Sequence, residues 1–279
     1  MVQIKAEIIS NSEVAPEHFK LILESPEIAQ EANPGQFLHI RVHEGFNPLL
    51  RRPFSIYRVS SNQIEILYKI RGKGTEILSG RTPGEILDVI GPLGKGFPLP
   101  EQQNTQAPVT YLLVAGGVGV APLLFLAERL REVKNLPAES GSRKFGKKSK
   151  IKIILLLGAK SKDYLLSEKE FKDLCDEVKV ATEDGSLGFK GLITDLLRDL
   201  LNTEYSLLNT ILYAAGPIFM LQEIKKIANI FKILAFGSLE ENIACGLGGC
   251  WGCVVKTVQG YKRICKEGPV FNLEEVLWE

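Results

Sequence analysis

Four of the five cysteines lie close together, as Cys245-x4-Cys250-x2-Cys253-x11-Cys265. Thiolates are good ligands for soft and borderline metals, so this run reads first as a metal site. A C-x4-C-x2-C loop completed by a more distant cysteine is the spacing of a plant-type [2Fe–2S] cluster, with all four sulfurs as ligands. Gly246, Gly248, Gly249 and Gly252 suit that reading. A bulky sulfide-bridged cluster needs the backbone close by, and peptide N–H groups can donate to its sulfurs. A structural Cys₄ zinc site is the competing reading, but zinc modules usually supply two short C-x2-C-like pairs, which this run lacks. The final gap of eleven residues is short beside that of plant ferredoxins, so a compact C-terminal module is expected instead of a full ferredoxin domain. Cys175 stands apart on an expected helix and reads as ordinary core.

Two further sets of residues have the chemistry of nucleotide cofactors. In Arg51-Arg52-Pro53-Phe54-Ser55-Ile56, read as the end of an apolar stretch, Arg52 can clamp a diphosphate, Phe54 can pack on a ring system and Ser55 can donate to a ring nitrogen. Gly72-Lys73-Gly74-Thr75 follows the strand Leu67-Tyr68-Lys69 and opens a short helix, Glu76–Leu78. Free N–H groups at such a helix start favour phosphate. Further on, Val114-Ala115-Gly116-Gly117-Val118-Gly119-Val120-Ala121-Pro122 joins a strand to a helix. A G-x-G-x-x-G match would begin at Gly117, but Pro122 stands at its third glycine, so the Rossmann fingerprint fails. The chemistry survives: Gly116, Gly117 and Gly119 let the backbone approach a pyrophosphate, and Pro122 suits the first turn of a helix. A tight turn without ligand is the alternative. Ala214-Ala215-Gly216-Pro217, with Met220, follows the last expected strand of the sheet, where an α/β ligand crevice belongs. His18, His39 and His43 show no ligand spacing with the cysteines and read as satisfied barrel histidines. No Ser/His/Asp set or paired-carboxylate site stands out.

The elements that must hold these residues change character along the chain. Residues 1–100 show short apolar or alternating runs (Ile4–Ile9, Phe19–Leu23, Phe37–Val42, Ile64–Ile70, Ile86–Ile90) parted by turns such as Asn33-Pro34-Gly35 and Thr82-Pro83-Gly84. That rhythm predicts a small antiparallel barrel or sandwich. Residues 101–235 alternate strands (Tyr111–Val114, Lys150–Leu157, Val178–Thr182, Ile211–Ala214) with helices (Pro122–Arg131, Glu168–Cys175, Ile193–Leu201, Ile218–Ile230), which predicts a doubly wound parallel sheet. Residues 236–279 are short and rich in Gly and Cys, a length at which a metal centre helps to hold a fold together. The segment Ser140–Lys150 carries five Lys/Arg and reads as a solvated loop.

With 34 basic and 33 acidic side chains the balance is close to neutral, which argues against nucleic acid or an anionic membrane as partner. The longest apolar-rich run, Ile151–Leu157, is far short of a membrane span. The opening MVQIKAEIIS has no charged region followed by an apolar one, and clustered cysteines fit a reducing compartment, so a cytoplasmic protein is expected.

Arg52-Pro53-Phe54-Ser55 followed by the Gly74-Thr75 turn resembles the FAD-binding barrel of the ferredoxin–NADP reductase superfamily. The resemblance implies FAD contacts from Arg52, Pro53, Phe54, Ser55, Leu67, Tyr68, Lys69, Gly74 and Thr75. The loop ending in Pro122 is similar to the nucleotide loop of that superfamily, and Gly216-Pro217 to its Cys-Gly-Pro motif, with Ala215 where relatives usually carry cysteine. This implies nucleotide contacts from Gly116, Gly117, Gly119, Pro122, Gly216 and Pro217. Gly158-Ala159-Lys160-Ser161-Lys162, where a 2′-phosphate would be read, has no arginine fork, which favours NAD over NADP. Leu239–Cys250, the closing Cys265-x-x-Gly268-Pro269-Val270-Phe271, Pro34–His39, Leu50–Ile56 and Gly91–Phe97 resemble the electron-transfer subunits of class 1B dihydroorotate dehydrogenases. That likeness implies an NAD-linked oxidoreductase subunit of pyrimidine biosynthesis, carrying FAD and a [2Fe–2S] cluster. It would work with a separate FMN-containing catalytic chain, two of each in a heterotetramer. Trp251 is open between an interface role and local packing, and Glu240 between the flavin ring and a solvated turn. A reductase subunit feeding a hydrogenase, sulfur reductase or ferredoxin is the alternative partner reading.

Overall fold

The computed structural model describes residues 1–99, 108–135, 151–203 and 209–278. The basic segment Ser140–Lys150 and nearly all of Glu101–Pro108 lie outside the described residues. The N-terminal part is a closed six-stranded barrel of β1 (Val2–Ala15), β2 (His18–Glu24), β3 (Phe37–Arg41), β4 (Arg52–Ser60), β5 (Gln63–Lys69) and β6 (Ile86–Leu93), in the order β1-β2-β5-β4-β3-β6, with every pairing antiparallel. Two short helices, α1 (Pro26–Glu31) and α2 (Lys73–Ser79), close its connections. Period-two patterning explains the barrel: along β1, Ala6 and Ile8 point inward while Lys5 and Glu7 stay exposed. Arg51–Ile56 corrects the sequence reading. It does not end an apolar stretch but opens β4, because the preceding Phe46, Leu49 and Leu50 lie in an exposed loop.

The second part is a seven-stranded sheet. It comprises β7 (Val109–Gly116), β8 (Ile151–Ala159), β9 (Glu177–Thr182), β10 (Phe189–Lys190), β11 (Thr210–Ala215), β12 (Leu234–Ser238) and, from the far C-terminus, β15 (Val270–Asn272). The order is β10-β9-β8-β7-β11-β12-β15, parallel throughout except that β15 runs antiparallel to β12. A small hairpin of β13 (Val254–Thr257) and β14 (Gly260–Arg263) lies outside this sheet. The central strands are apolar on both faces, as in Ile153–Leu157 of β8, because helices cover both. Helices α3 (Val120–Asn135) and α4 (Glu168–Leu174) share a core with one face, and α5 (Ile193–Thr203) and α6 (Ile218–Phe231) with the other. Strand order reverses between β7 and β11, so a crevice opens at the carboxyl ends of these two strands. Helix α3 also fastens the two parts together: its Phe125 packs in the barrel's own core, and Tyr57 and Leu67 of the barrel pack in the core beneath α3.

The C-terminal residues fold against both parts. Strand β12 straddles residue 236, and β15 extends the sheet, so the cysteine-rich loop is held between two strands of one sheet edge. Gly94 and Lys95, leaving the barrel, meet Gly268 and Pro269: the Lys95 N–H donates to the Gly268 carbonyl at 2.5 Å. Among the described residues no helix is long and apolar enough to cross a membrane.

Candidate functional site

A cleft of about 440 Å³ lies where the three parts meet, a size common for small-molecule and cofactor sites. The barrel supplies Pro53, Phe54 and Ser55 from β4, Leu67, Tyr68 and Lys69 from β5, and Thr75 from α2. The sheet supplies Gly119 and Pro122 from the turn after β7 and Gly216 from the turn after β11. Of a third wall, Ser238–Ile243 at the end of β12 together with Ile264 and Pro269, only Glu240 was foreseen, as one of two readings. The signal for the wall was present in principle, since Ser238 ends another parallel strand and such carboxyl ends border ligand crevices.

Five expected residues do not line the cleft. Arg52 Nη1 donates to the Leu50 carbonyl at 2.7 Å, and its side chain lies on Gly74, where a methyl group would sit 2.6 Å from Nε. Arg52 and the Gly74-Thr75 turn therefore stand side by side next to the cleft. Thr75 Oγ1 accepts from the Arg71 N–H at 2.8 Å and donates to the Gly72 carbonyl at 3.0 Å, so the hydroxyl holds the turn in shape. Gly116 and Pro217 face each other, a Gly116 methyl falling 3.1 Å from Pro217 Cδ. Gly117, at φ +54°, opens away from its neighbours. The two turns are locked together at Gly119, where a methyl would lie 2.0 Å from the Ala215 carbonyl oxygen. Only glycine fits there.

Tyr68 is buried, stacks on Phe19, meets Phe54 edge-on at 5.5 Å and donates its hydroxyl to Asn11 at 3.1 Å. It is a fixed wall. Across the mouth, Arg71 of the barrel pairs with Glu240 of the third wall at 3.4 Å; both are about two-thirds exposed, so the pair contributes little to stability.

The four clustered cysteines fall into two neighbouring pairs. Cys245 and Cys250 are within side-chain reach of each other at the surface side, as are Cys253 and Cys265, both buried. Peptide N–H groups converge on all four sulfurs: Leu247 on Cys245 at 3.4 Å, Gly252 on Cys250 at 3.4 Å, Cys265 on Cys253 at 3.5 Å and Gly248 on Cys265 at 3.2 Å. Burial works to raise the Cys245 thiol, but the Cys250 and Leu247 N–H groups outweigh it and hold its pKa at about 6. Burial pushes Cys265 up to about 12. Among the described residues no three His, Cys, Asp or Glu converge on one point as ligands of a single ion. Four cysteines in two neighbouring pairs, each sulfur met by a peptide N–H, suit a cluster of two irons, each taking two thiolates besides bridging sulfide. The loop is fastened by Arg263, whose Nη1 donates to the Gly248 carbonyl at 2.6 Å while Nε and Nη2 engage Glu267. Chiefly through Arg263, the Glu267 carboxyl is held down to about 2. The same guanidinium lies 4.5 Å over the Trp251 ring, so Trp251 is partly packed yet remains half exposed. Cys175 is buried at the end of α4, and burial lifts its thiol to about 12.

One histidine departs from expectation. His18 is satisfied through the Pro16 carbonyl at 2.6 Å, and His43 Nδ1 accepts from the Gly45 N–H. His39 is fully buried, and neither of its ring nitrogens has a hydrogen-bond partner. Burial and then the nearby Arg51 charge hold its pKa at about 4. Nothing in the spacing of a barrel strand distinguishes a satisfied histidine from an orphaned one.

Comparison with known proteins agrees with this architecture. Residues 240–277 match the family model of the iron-sulfur cluster binding domain of dihydroorotate dehydrogenase B. Electron transfer subunits of dihydroorotate dehydrogenase B (NAD(+)) from Bacillus mycoides (strain KBAB4) and Bacillus cereus (strain B4264) are each 38% identical to this chain, over 97% of it and 96% of their own length. A solved structure described in a study of flavin-based electron bifurcation by an NADH-dependent reduced ferredoxin-NADP oxidoreductase superposes with a TM-score of 0.81 and 33% identity, over 98% of this chain and 90% of that one. A ferredoxin NADP⁺ reductase from Neisseria gonorrhoeae with bound FAD and NADP shares the fold, with a TM-score of 0.65 at 16% identity over 85% of this chain and 99% of that one. The Bacillus relatives match this chain almost from end to end, and the chain belongs to the family of dihydroorotate dehydrogenase B electron transfer subunits.

Proposed function

We propose that this chain relays electrons from a dihydroorotate-oxidising partner to NAD⁺ in pyrimidine biosynthesis, through a [2Fe–2S] cluster and FAD. The observation that carries the reading is a shared wall. Ile264, next to the cluster cysteine Cys265, lines the same cleft as the barrel residues Pro53–Ser55 and the turn residues Gly119 and Pro122. Three chemistries that an electron relay must place in series therefore border one cavity.

In this reading residues 1–100 hold FAD, 101–235 admit NAD and 236–279 carry the cluster. FAD, when bound, exchanges a hydride with the nicotinamide and single electrons with the cluster, which joins a two-electron carrier to a one-electron one. The chain's residues position and exclude. Arg52 beside Gly74 and Thr75 takes the diphosphate, Phe54 and Tyr68 form the apolar wall, and Ser55, Leu67 and Lys69 border the ring and ribityl chain. Gly116, Gly117, Gly119 and Pro122 take the pyrophosphate of NAD, while Gly216 and Pro217 guide the nicotinamide toward the flavin. Glu240, tethered to Arg71, stands at the mouth beside the flavin. Cys245 and Cys250 hold one iron, and Cys253 and Cys265 the other.

The name of the relatives, electron transfer subunit, supports a separate catalytic partner for this chain as well. We assign that partner FMN and a heterotetramer of two of each chain, in the cytoplasm. The exposed Trp251 and Leu247 of the cluster loop then face it. The test is to mix the purified chain with a dihydroorotate-oxidising flavoprotein and follow NADH. Dihydroorotate-dependent NADH is expected; its absence in a complex holding all three cofactors would remove the pyrimidine assignment. The 33% identity to the ferredoxin-NADP oxidoreductase structure favours a second reading, in which the same relay serves a ferredoxin-type partner. Reduction of ferredoxin by NADH with no response to dihydroorotate would select it.

A further inference from the structure

His39 sits where the barrel meets the cluster loop. It lies on β3, between Pro53 of β4 and Ile90 of β6, two residues beyond Phe37. Phe37 borders the flavin cleft and packs in one core with Cys253 and Cys265. The His39 ring faces the other end of the loop: Gly246, at φ +73°, presses so close that a methyl there would lie 2.5 Å from Nδ1. The backbones of Arg51 and Cys245 lie close enough to the ring to favour its protonated form, yet neither meets a ring nitrogen in hydrogen-bonding geometry.

Such an arrangement has a cost. An imidazole always carries at least one N–H donor, and burying a polar group without a partner is unfavourable. Buried orphans are rare and call for a reason. Packing alone does not supply one, because Phe37, on the same face of β3, fills its buried position with an apolar side chain. Gly246 brings a non-barrel element against the ring, so the missing partner is assigned to the Cys245–Gly246 stretch.

We propose that His39 is a positioning residue for the cluster: its ring N–H is kept for the Cys245 end of the loop and takes up a hydrogen bond there once the cluster is in place. The bond fixes the loop against the barrel and, with the Cys245 sulfur as acceptor, raises the reduction potential as other donors to cluster sulfurs do. This rests on the cluster reading above, and its test is separable from that reading.

The full chain is purified anaerobically with FAD, and iron, sulfide, flavin, the electron paramagnetic resonance (EPR) signal of the reduced cluster and its potential are measured for wild type, His39→Leu and His39→Asn. A wild-type protein without iron and sulfide overturns the cluster reading itself. Given a wild-type cluster, His39→Leu is expected to keep FAD and move the cluster potential negative, by about tenfold in the one-electron equilibrium with FAD (~59 mV), with altered EPR g values. His39→Asn, which retains an N–H donor, recovers most of the shift. If His39→Leu instead loses its iron, His39→Asn is expected to retain it. The proposal is overturned if His39→Leu holds its iron at the wild-type potential and g values. It is equally overturned if His39→Asn fails as fully as His39→Leu, which would make the ring a packing element only.

Discussion

Cys253 and Cys265 are buried while Cys250 is exposed, and this difference separates two effects that cysteine replacement usually mixes. Serine at any of the four positions is expected to abolish the [2Fe–2S] absorbance and the EPR signal. Cys253→Ser and Cys265→Ser should also lower the melting temperature of the iron-free chain, because each buries a hydroxyl in an apolar core; Cys250→Ser should not. Melting curves of the apo variants check this. At the flavin end, Arg52→Ala is expected to weaken FAD binding tenfold to a hundredfold, the range of about 1.5–3 kcal/mol for a hydrogen bond to a charged group. Arg52→Lys should restore little, since an ammonium cannot replace a forked guanidinium; equilibrium dialysis against FAD reads both. At this scale the sequence was informative wherever chemistry needs a fixed spacing, as in the cysteine run. It was silent on the orphaned state of His39, which depends on a loop two hundred residues away.

The turns after β7 and β11 form one unit, because Gly119 leaves no room for a side chain against the Ala215 carbonyl. Gly119→Ala must push these turns apart. It is expected to raise the KM for NADH at least tenfold while the flavin content stays at the wild-type level; steady-state kinetics with an artificial electron acceptor measures this. If FAD were lost as well, the turn would be shaping the barrel side of the cleft and not the nucleotide. The periodicity of the sequence foretold most strands and helices, including α3, α5 and α6, because each buries a regular apolar face. Strand β12 escaped notice because it is five residues long and ends in Gly237-Ser238. Strand β15 escaped because three residues carry no period at all. Their pairing joins the cysteine module to the sheet and creates the third wall of the cleft, so that wall, Glu240 apart, was illegible for the same reason. Phe271, buried where β15 meets β12, is the residue to probe: Phe271→Ala should destabilise the chain by about 3–5 kcal/mol in denaturant unfolding.

Across the whole molecule, the barrel, the sheet and the cysteine module border one shared cleft, so in the proposed reading a two-electron carrier, a flavin and a one-electron carrier come together within one chain. The family resemblance carried this organisation already at the level of sequence; what folding adds is that Phe37 and Ile264 belong to both the cleft wall and the core holding Cys253 and Cys265. Electron exchange between flavin and cluster then requires no domain movement, and it should survive in the isolated chain without its partner. Anaerobic titration of the purified chain with NADH, followed by visible and EPR spectroscopy, tests this most directly. The account predicts that flavin absorbance bleaches and that a reduced [2Fe–2S] signal appears, approaching one per chain. A colourless protein containing zinc, or a flavin that bleaches while the cluster stays oxidised at excess NADH, would contradict it.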